Sequence, residues 1–77
     1  MVADIREHLS KTPFVPFTIR MADGQRYPVP TRDHIWLPPR SGRIFVADDQ
    51  GYAAILPALL ISGLIVPADL DNGNSPA

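Results

Sequence analysis

The chain has no cysteine, so no disulfide can staple it and no thiolate can ligate a metal or act as a nucleophile. Lysine is almost missing as well: Lys11 stands alone, the other basic residues are arginines, and nothing basic follows Arg43. Aromatic residues make up 8% of the chain, a thin supply for the stacked platforms of single-strand nucleic-acid binders. No apolar run reaches the roughly 20 residues of a membrane span. The longest, from Ala53 to Val66, is interrupted by Pro57 and Gly63. The first residues, Met1-Val2-Ala3-Asp4, lack the basic stretch and apolar core of a signal peptide, so a soluble, cytoplasmic protein without a membrane partner is expected. Glycine-rich phosphate loops are excluded too, because Gly24, Gly42 and Gly51 each stand singly among turn residues.

What is present is a short and rather apolar chain. Its 77 residues, 45% hydrophobic, suffice for one domain. A domain this small buries only about 60% of the surface of its unfolded chain, and such domains usually rely on a disulfide, a metal or a partner subunit. Cysteine is absent, and His8 and His34 lie far apart without ligand spacing, so no metal or other cofactor is expected. That leaves packing or oligomerisation, and the apolar content favours a homo-oligomer. Charge is unevenly placed. Residues 1–43 hold all seven basic side chains against four acidic ones, a net of +3, whereas residues 44–77 hold four aspartates and no Lys, Arg or His, a net of −4. Such asymmetry suits an anion-binding face or a head-to-tail subunit contact. In so short a chain it also arises by chance.

Hydrophobic periodicity gives the elements. Asp4 to Ser10 reads as a two-turn helix, with Asp4 and Glu7 as a variant capping box and Val2, Ile5 and Leu9 on one side. Pro13 ends it and forces Pro13–Pro16 to be extended. Phe14 and Phe17 are expected to fill the space between helix and sheet. Phe17–Met21 alternates as a half-buried strand. Ala22-Asp23-Gly24 is a turn, and the chain returns over Gln25–Val29. A two-residue turn would mix the faces of this hairpin. A three-residue loop with Gly24 left-handed instead pairs Ile19 with Tyr27 and Phe17 with Val29, all on one face.

Ile35–Leu37 is a third strand, closed by the loop Pro38–Gly42. Arg43–Ala47 and Tyr52–Leu56 form a hairpin around Asp48-Asp49-Gln50-Gly51. Both its faces are apolar, Ile44 and Val46 on one and Phe45 and Ala47 on the other. A strand of an isolated small domain is normally wet on one side, so one of these faces is expected to meet another subunit. Pro57 breaks the pairing, Ala58–Ile61 makes a helical turn or a bulge, and Ser62–Val66 is a last, β-prone strand. From Pro67 the polar sequence reads as a disordered tail over 68–77. A helix followed by about five short strands predicts a mainly β fold over 1–67, curled into a small SH3-like or Sm-like barrel.

Catalytic chemistry is hard to find in these residues. Asp33 and His34 could be a base and its orienter, but sequence neighbours point to opposite sides of a strand. A loop His34 bonded to backbone is the simpler expectation. No nucleophile sits in a recognisable elbow, Asp48–Gly51 lacks the further oxygen ligands of an EF-hand loop, and no small-molecule substrate is evident. A non-enzymatic role is therefore expected. One polar group has content: Arg20 and Arg26 fall opposite each other on the solvent face, an arrangement that favours an intervening anion unless both side chains splay into water. With Arg40 and Arg43 they form the candidate anion or nucleic-acid contact. Trp36 is expected to point outward, since Ile35 and Leu37 point the other way. With Phe45, Ala47, Ile55, Leu64 and Val66 it makes up the candidate oligomer interface.

The run Pro13-Phe-Val-Pro-Phe-Thr-Ile-Arg-Met-Ala-Asp-Gly24, with His34-Ile35 and the late Asp-Gln-Gly turn, resembles a group of short, mostly uncharacterised bacterial proteins and implies no activity. More distantly, the order of helix, strand, Asp-Gly turn and final Ile-Ser-Gly-Leu-Ile-Val-Pro67 is similar to bacterial Sm-like proteins. That resemblance implies rings built by edge-strand pairing, and RNA binding. The Sm-like RNA pocket uses a basic and aromatic cluster just before the last strand, where this chain carries Leu56-Pro57-Ala58-Leu59. Two expectations result: a self-associating assembly module, or an RNA binder using its arginine-bearing face.

Overall fold

Alternation along Phe17–Met21 decides the first half of the fold. In the computed structural model, which describes residues 1–67, this segment is strand β1 and Arg26–Val29 is strand β2. They pair antiparallel with Phe17 opposite Val29, Ile19 opposite Tyr27 and Arg20 opposite Arg26, the register the apolar pattern demands. The loop closes as expected. The Met21 N–H donates to the Gln25 carbonyl at 2.8 Å, the Gly24 N–H to the Met21 carbonyl at 3.0 Å, and the Gln25 N–H to Asp23 Oδ1 at 2.9 Å. Gly24 sits at φ 91°, a conformation that costs any residue with a Cβ.

On its other side β1 pairs with β6, Ile61–Ile65, giving a sheet ordered β2-β1-β6. Leu64 lies opposite Ile19, so parity turns Leu64 toward the core. Register shifts at Arg20 and Met21, which face Gly63 and Ile61. Ser62 is the extra residue of this bulge.

The second sheet is a meander of β3 (Ile35–Trp36), β4 (Arg43–Ala47) and β5 (Ala53–Pro57), in that order. Among the described residues no ladder joins the two sheets. Pro30 and a single 3-10 turn, Arg32–His34, carry the chain from β2 to β3. A second 3-10 turn, Ala58–Leu60, links β5 to β6. Pro28 sits inside β2 and Pro57 closes β5. Both strands are edges, where an absent N–H need not cost a ladder bond.

The inner faces of the two sheets and one helix share a single core. Ile5, Ile19, Val29 and Ile44 are fully buried, and Phe17, Met21, Val46, Leu56 and Ile61 nearly so. No charged or polar side chain is buried among the described residues. Helix α1, Val2–Leu9, contributes Ile5 to this core. Its His8 ring stacks on Phe17 at 5.4 Å between centroids, and Phe14 packs against the same ring at 6.1 Å. Phe14 and Phe17 thus fill the space between helix and sheet.

Several expected boundaries move. The helix starts two residues earlier than Asp4 and ends one before Ser10. Asp4 lies within its first turn, and Met1 is the N-cap, without a side-chain cap bond. Strand β5 runs one residue later than expected and β6 one earlier, while β3 is only two residues long. There are six strands among the described residues, where about five were expected. The fold is mainly β with one N-terminal helix. The expected tail, 68–77, lies outside the described residues, and no helix of the described residues is long and apolar enough to cross a membrane.

Candidate functional site

Period-two alternation along β4 sends Ile44 and Val46 inward and leaves Arg43, Phe45 and Ala47 on the outer face of the second sheet. Register then sets Trp36, Phe45 and Ile55 side by side across all three strands. Trp36 and Phe45 are in ring contact, centroids 5.2 Å apart. The row is open to solvent: Trp36 is 60% exposed and Ile55 57%, with Phe45 half-buried between them. Ala47 faces Ala53 one step along, and Arg43 faces Pro57 at the other end. The face thus carries three large apolar side chains in one cross-strand row and one charge at its margin. Leu59, on the 3-10 turn after β5, is 97% exposed.

Of the six candidate interface residues, Trp36, Phe45, Ala47 and Ile55 come together on this face. Leu64 and Val66 do not. Both are partly buried against the core on the other sheet, because Leu64 takes the parity of Ile19.

The four candidate anion-contact arginines divide into two pairs. Arg20 and Arg26 are cross-strand neighbours on the exposed face of β2-β1-β6. Arg20 Nε donates to Ser62 Oγ at 3.1 Å, and that hydroxyl lies 3.1 and 3.3 Å from the carbonyl oxygens of Arg20 and Met21. The bulge residue therefore anchors one arginine. Arg26 has no carboxylate within ion-pair distance among the described residues. Arg40, at φ 59° in the β3–β4 loop, and Arg43, at the start of β4, belong to the other sheet.

A cleft of about 460 Å³ opens between the edge strands β2 and β5. Residues 26–28 of β2 form one wall, and residues 46–48 and 52–54 of the β4–β5 hairpin form the other. Tyr27 is half-buried there, and Tyr52 is 74% exposed. Asp48 shapes the hairpin end: its Oδ1 accepts from the Gln50 and Tyr52 N–H groups at 2.9 and 3.0 Å. Sequence reading assigns no role to this cleft, since it depends on how two sheets meet.

His34 sits at the entry to β3 with its N–H donating to the Thr31 carbonyl at 3.1 Å, as expected, and its ring adds side-chain partners. Its ring Nδ1 lies 2.8 Å from the Thr31 hydroxyl and its Nε2 lies 2.8 Å from Asp49 Oδ1. Neighbouring Asp33 takes no part in this. Thr31 Oγ1 also accepts from the Asp33 N–H at 3.2 Å, capping the 3-10 turn. The chain Thr31–His34–Asp49 ties the β2–β3 connection to the β4–β5 turn. Arg32 was likewise silent in the sequence. Its Nε donates to the Leu9 carbonyl at 2.7 Å and its Nη2 to the Lys11 carbonyl, while its guanidinium lies 5.2 Å from the Phe14 ring centroid. It fastens the helix C-terminus to the sheet connection.

The chain matches no family model, no curated protein and no solved structure.

Proposed function

We propose that this chain is a non-enzymatic, cytoplasmic small barrel of the SH3-like or Sm-like kind, acting as an assembly module in which the outer face of β3-β4-β5 meets a second copy. The observation that carries this reading is the solvent-exposed row Trp36–Phe45–Ile55, aligned in register on one sheet. Aromatic and aliphatic side chains in one row, with charge held at the margin, are what the buried centre of an interface requires. The barrel reading is supported by the single core that both sheets share. Two antiparallel sheets wrap one core, and the bent β2–β3 passage and the 3-10 turn before β6 carry the chain between them.

Light scattering on a size-exclusion column at micromolar concentration tests the proposal. A mass of two or more copies is expected, and a stable 8.5 kDa monomer overturns it.

A second reading, binding of RNA by the arginine-bearing face, is favoured by one observation: Arg20 and Arg26 stand side by side, and no carboxylate pairs with either among the described residues. Arg40 and Arg43 would add contacts from the other sheet. An affinity for short RNA that falls steeply with salt is expected. Binding unchanged in the Arg20→Ala, Arg26→Ala double variant excludes this face.

A further inference from the structure

The cleft between β2 and β5 brings together a volume, a cation without an ion-pair partner among the described residues, two tyrosines and a carboxylate. About 460 Å³ lies within the range of small-molecule sites, roughly 300–1,000 Å³. Arg26, on the β2 wall, has no carboxylate partner among the described residues, and Arg20 across the strand pair raises the local positive potential. Half-buried Tyr27 and exposed Tyr52 line opposite walls, and Pro28 and Ala54 complete an apolar lining. Asp48, on the opposite wall from Arg26, spends one carboxylate oxygen on two turn amides, which leaves the other to accept from a ligand. A cation on one wall and an acceptor on the other, with aromatic surface between, selects for a polarised flat molecule.

We propose that this cleft binds a small planar ring carrying an anionic group at one end, held by Arg26, and a hydrogen-bond donor at the other, held by Asp48. A pyrimidine nucleoside monophosphate and a hydroxylated aromatic carboxylate share this chemistry. The site goes beyond the self-association reading, since Arg26 and Tyr27 lie on the other sheet from the Trp36–Phe45–Ile55 row and Ala47 alone is shared with the candidate interface; it shares Arg26 with the RNA reading, which the double arginine variant tests separately.

Amide chemical-shift titration of the isotopically labelled native chain with uridine monophosphate and with para-hydroxybenzoate tests this, with uridine and inorganic phosphate as separate probes. Saturable shifts are expected at residues 26–28, 46–48 and 52–54 for at least one of the two anionic rings. The tighter of the two identifies the source as nucleotide or aromatic acid. Arg26→Gln is expected to weaken binding about tenfold or more, the effect of removing one charge-assisted contact. Tyr52→Ala is expected to weaken it severalfold. Both side chains are exposed or lie at the surface, so both variants retain the native amide dispersion. Arg6→Gln, on the exposed side of helix α1 and outside the cleft lining, leaves the affinity unchanged. The proposal is overturned if neither anionic ring gives saturable shifts in the cleft, if Arg26→Gln binds as well as the native chain, or if uridine or phosphate alone binds as tightly as the joined molecule. The oligomeric mass does not enter this test, so its failure and that of the assembly reading are distinguishable.

Discussion

Replacing Ile55 by lysine places a charge in the middle of the apolar row without touching the core. Ile55 is 57% exposed on edge strand β5, with Phe45 as its cross-strand neighbour. In a monomer a lysine there reaches water, and the change in unfolding free energy stays within about 0.5 kcal/mol. In an assembly that covers this face the outcome differs. Complete burial of an isoleucine side chain is worth about 1.5–3 kcal/mol, so covering the exposed half contributes about 1–2 kcal/mol per copy. A two-fold contact uses the residue twice, and Ile55→Lys then removes about 2–4 kcal/mol before any cost of burying the ammonium. That corresponds to a dissociation constant weakened by roughly 30-fold to several hundred-fold. Sedimentation or light scattering across a dilution series reads this directly, with urea unfolding of the dissociated chain as the control for folding. The reasoning is refuted if native chain and variant dissociate at the same concentration. It is also refuted if the variant's monomer unfolds at markedly lower urea, which would mean that Ile55 supports the fold itself.

Ile19, fully buried at the centre of β1, is expected to behave in the opposite way. Ile19→Ala costs about 2–5 kcal/mol by urea unfolding at any concentration, a large share of the stability a domain this size can have. Ser62→Ala removes the hydroxyl that joins the bulge to Arg20 and is expected to cost about 0.5–1.5 kcal/mol. It also frees the Arg20 side chain, measurable as a change in its Nε–H resonance. Gly24→Ala forces a Cβ into the left-handed region, although nothing lies within 4 Å of it. The expected loss is about 1–2 kcal/mol, and an unchanged melting temperature would contradict the turn assignment.

The β1–β2 hairpin was fully legible because two local signals agreed: strict alternation from Phe17 to Val29 and the Asp23-Gly24 turn. The outer row was legible for the same reason, since alternation along β4 fixes which side Phe45 takes. The helix start was not. Asp4 and Glu7 resemble a capping box, but Met1 opens the helix without a side-chain bond, leaving no residue-type signal to read. Tyr52 looks like a strand residue by propensity, yet its N–H is claimed by Asp48 and it stays in the turn. Leu64 and Val66 were expected at an interface because β6 is apolar throughout. Only the pairing of Leu64 with Ile19 shows which side of β6 the core takes. The His34–Asp49 and Arg32–Leu9 contacts join residues 15 and 23 positions apart, and no local pattern announces such meetings. The cleft belongs to the same class, being made by two strands that never pair.

The prolines at the sheet edges have a consequence for the handling of this protein at high concentration. Among the described residues the two small sheets have four edges without a strand partner, each a template on which a stray strand can grow. Pro28 interrupts β2 and Pro57 ends β5, and β3 is only two residues long. Three of the four edges are thereby shortened or blunted. The fourth, β6, runs Ile61-Ser62-Gly63-Leu64-Ile65 with neither proline nor charge. Unwanted fibrous growth, if provoked by partial unfolding or overproduction, has its starting point there, and a single lysine at Ile65, which is 41% exposed, is the guard that sequence lacks.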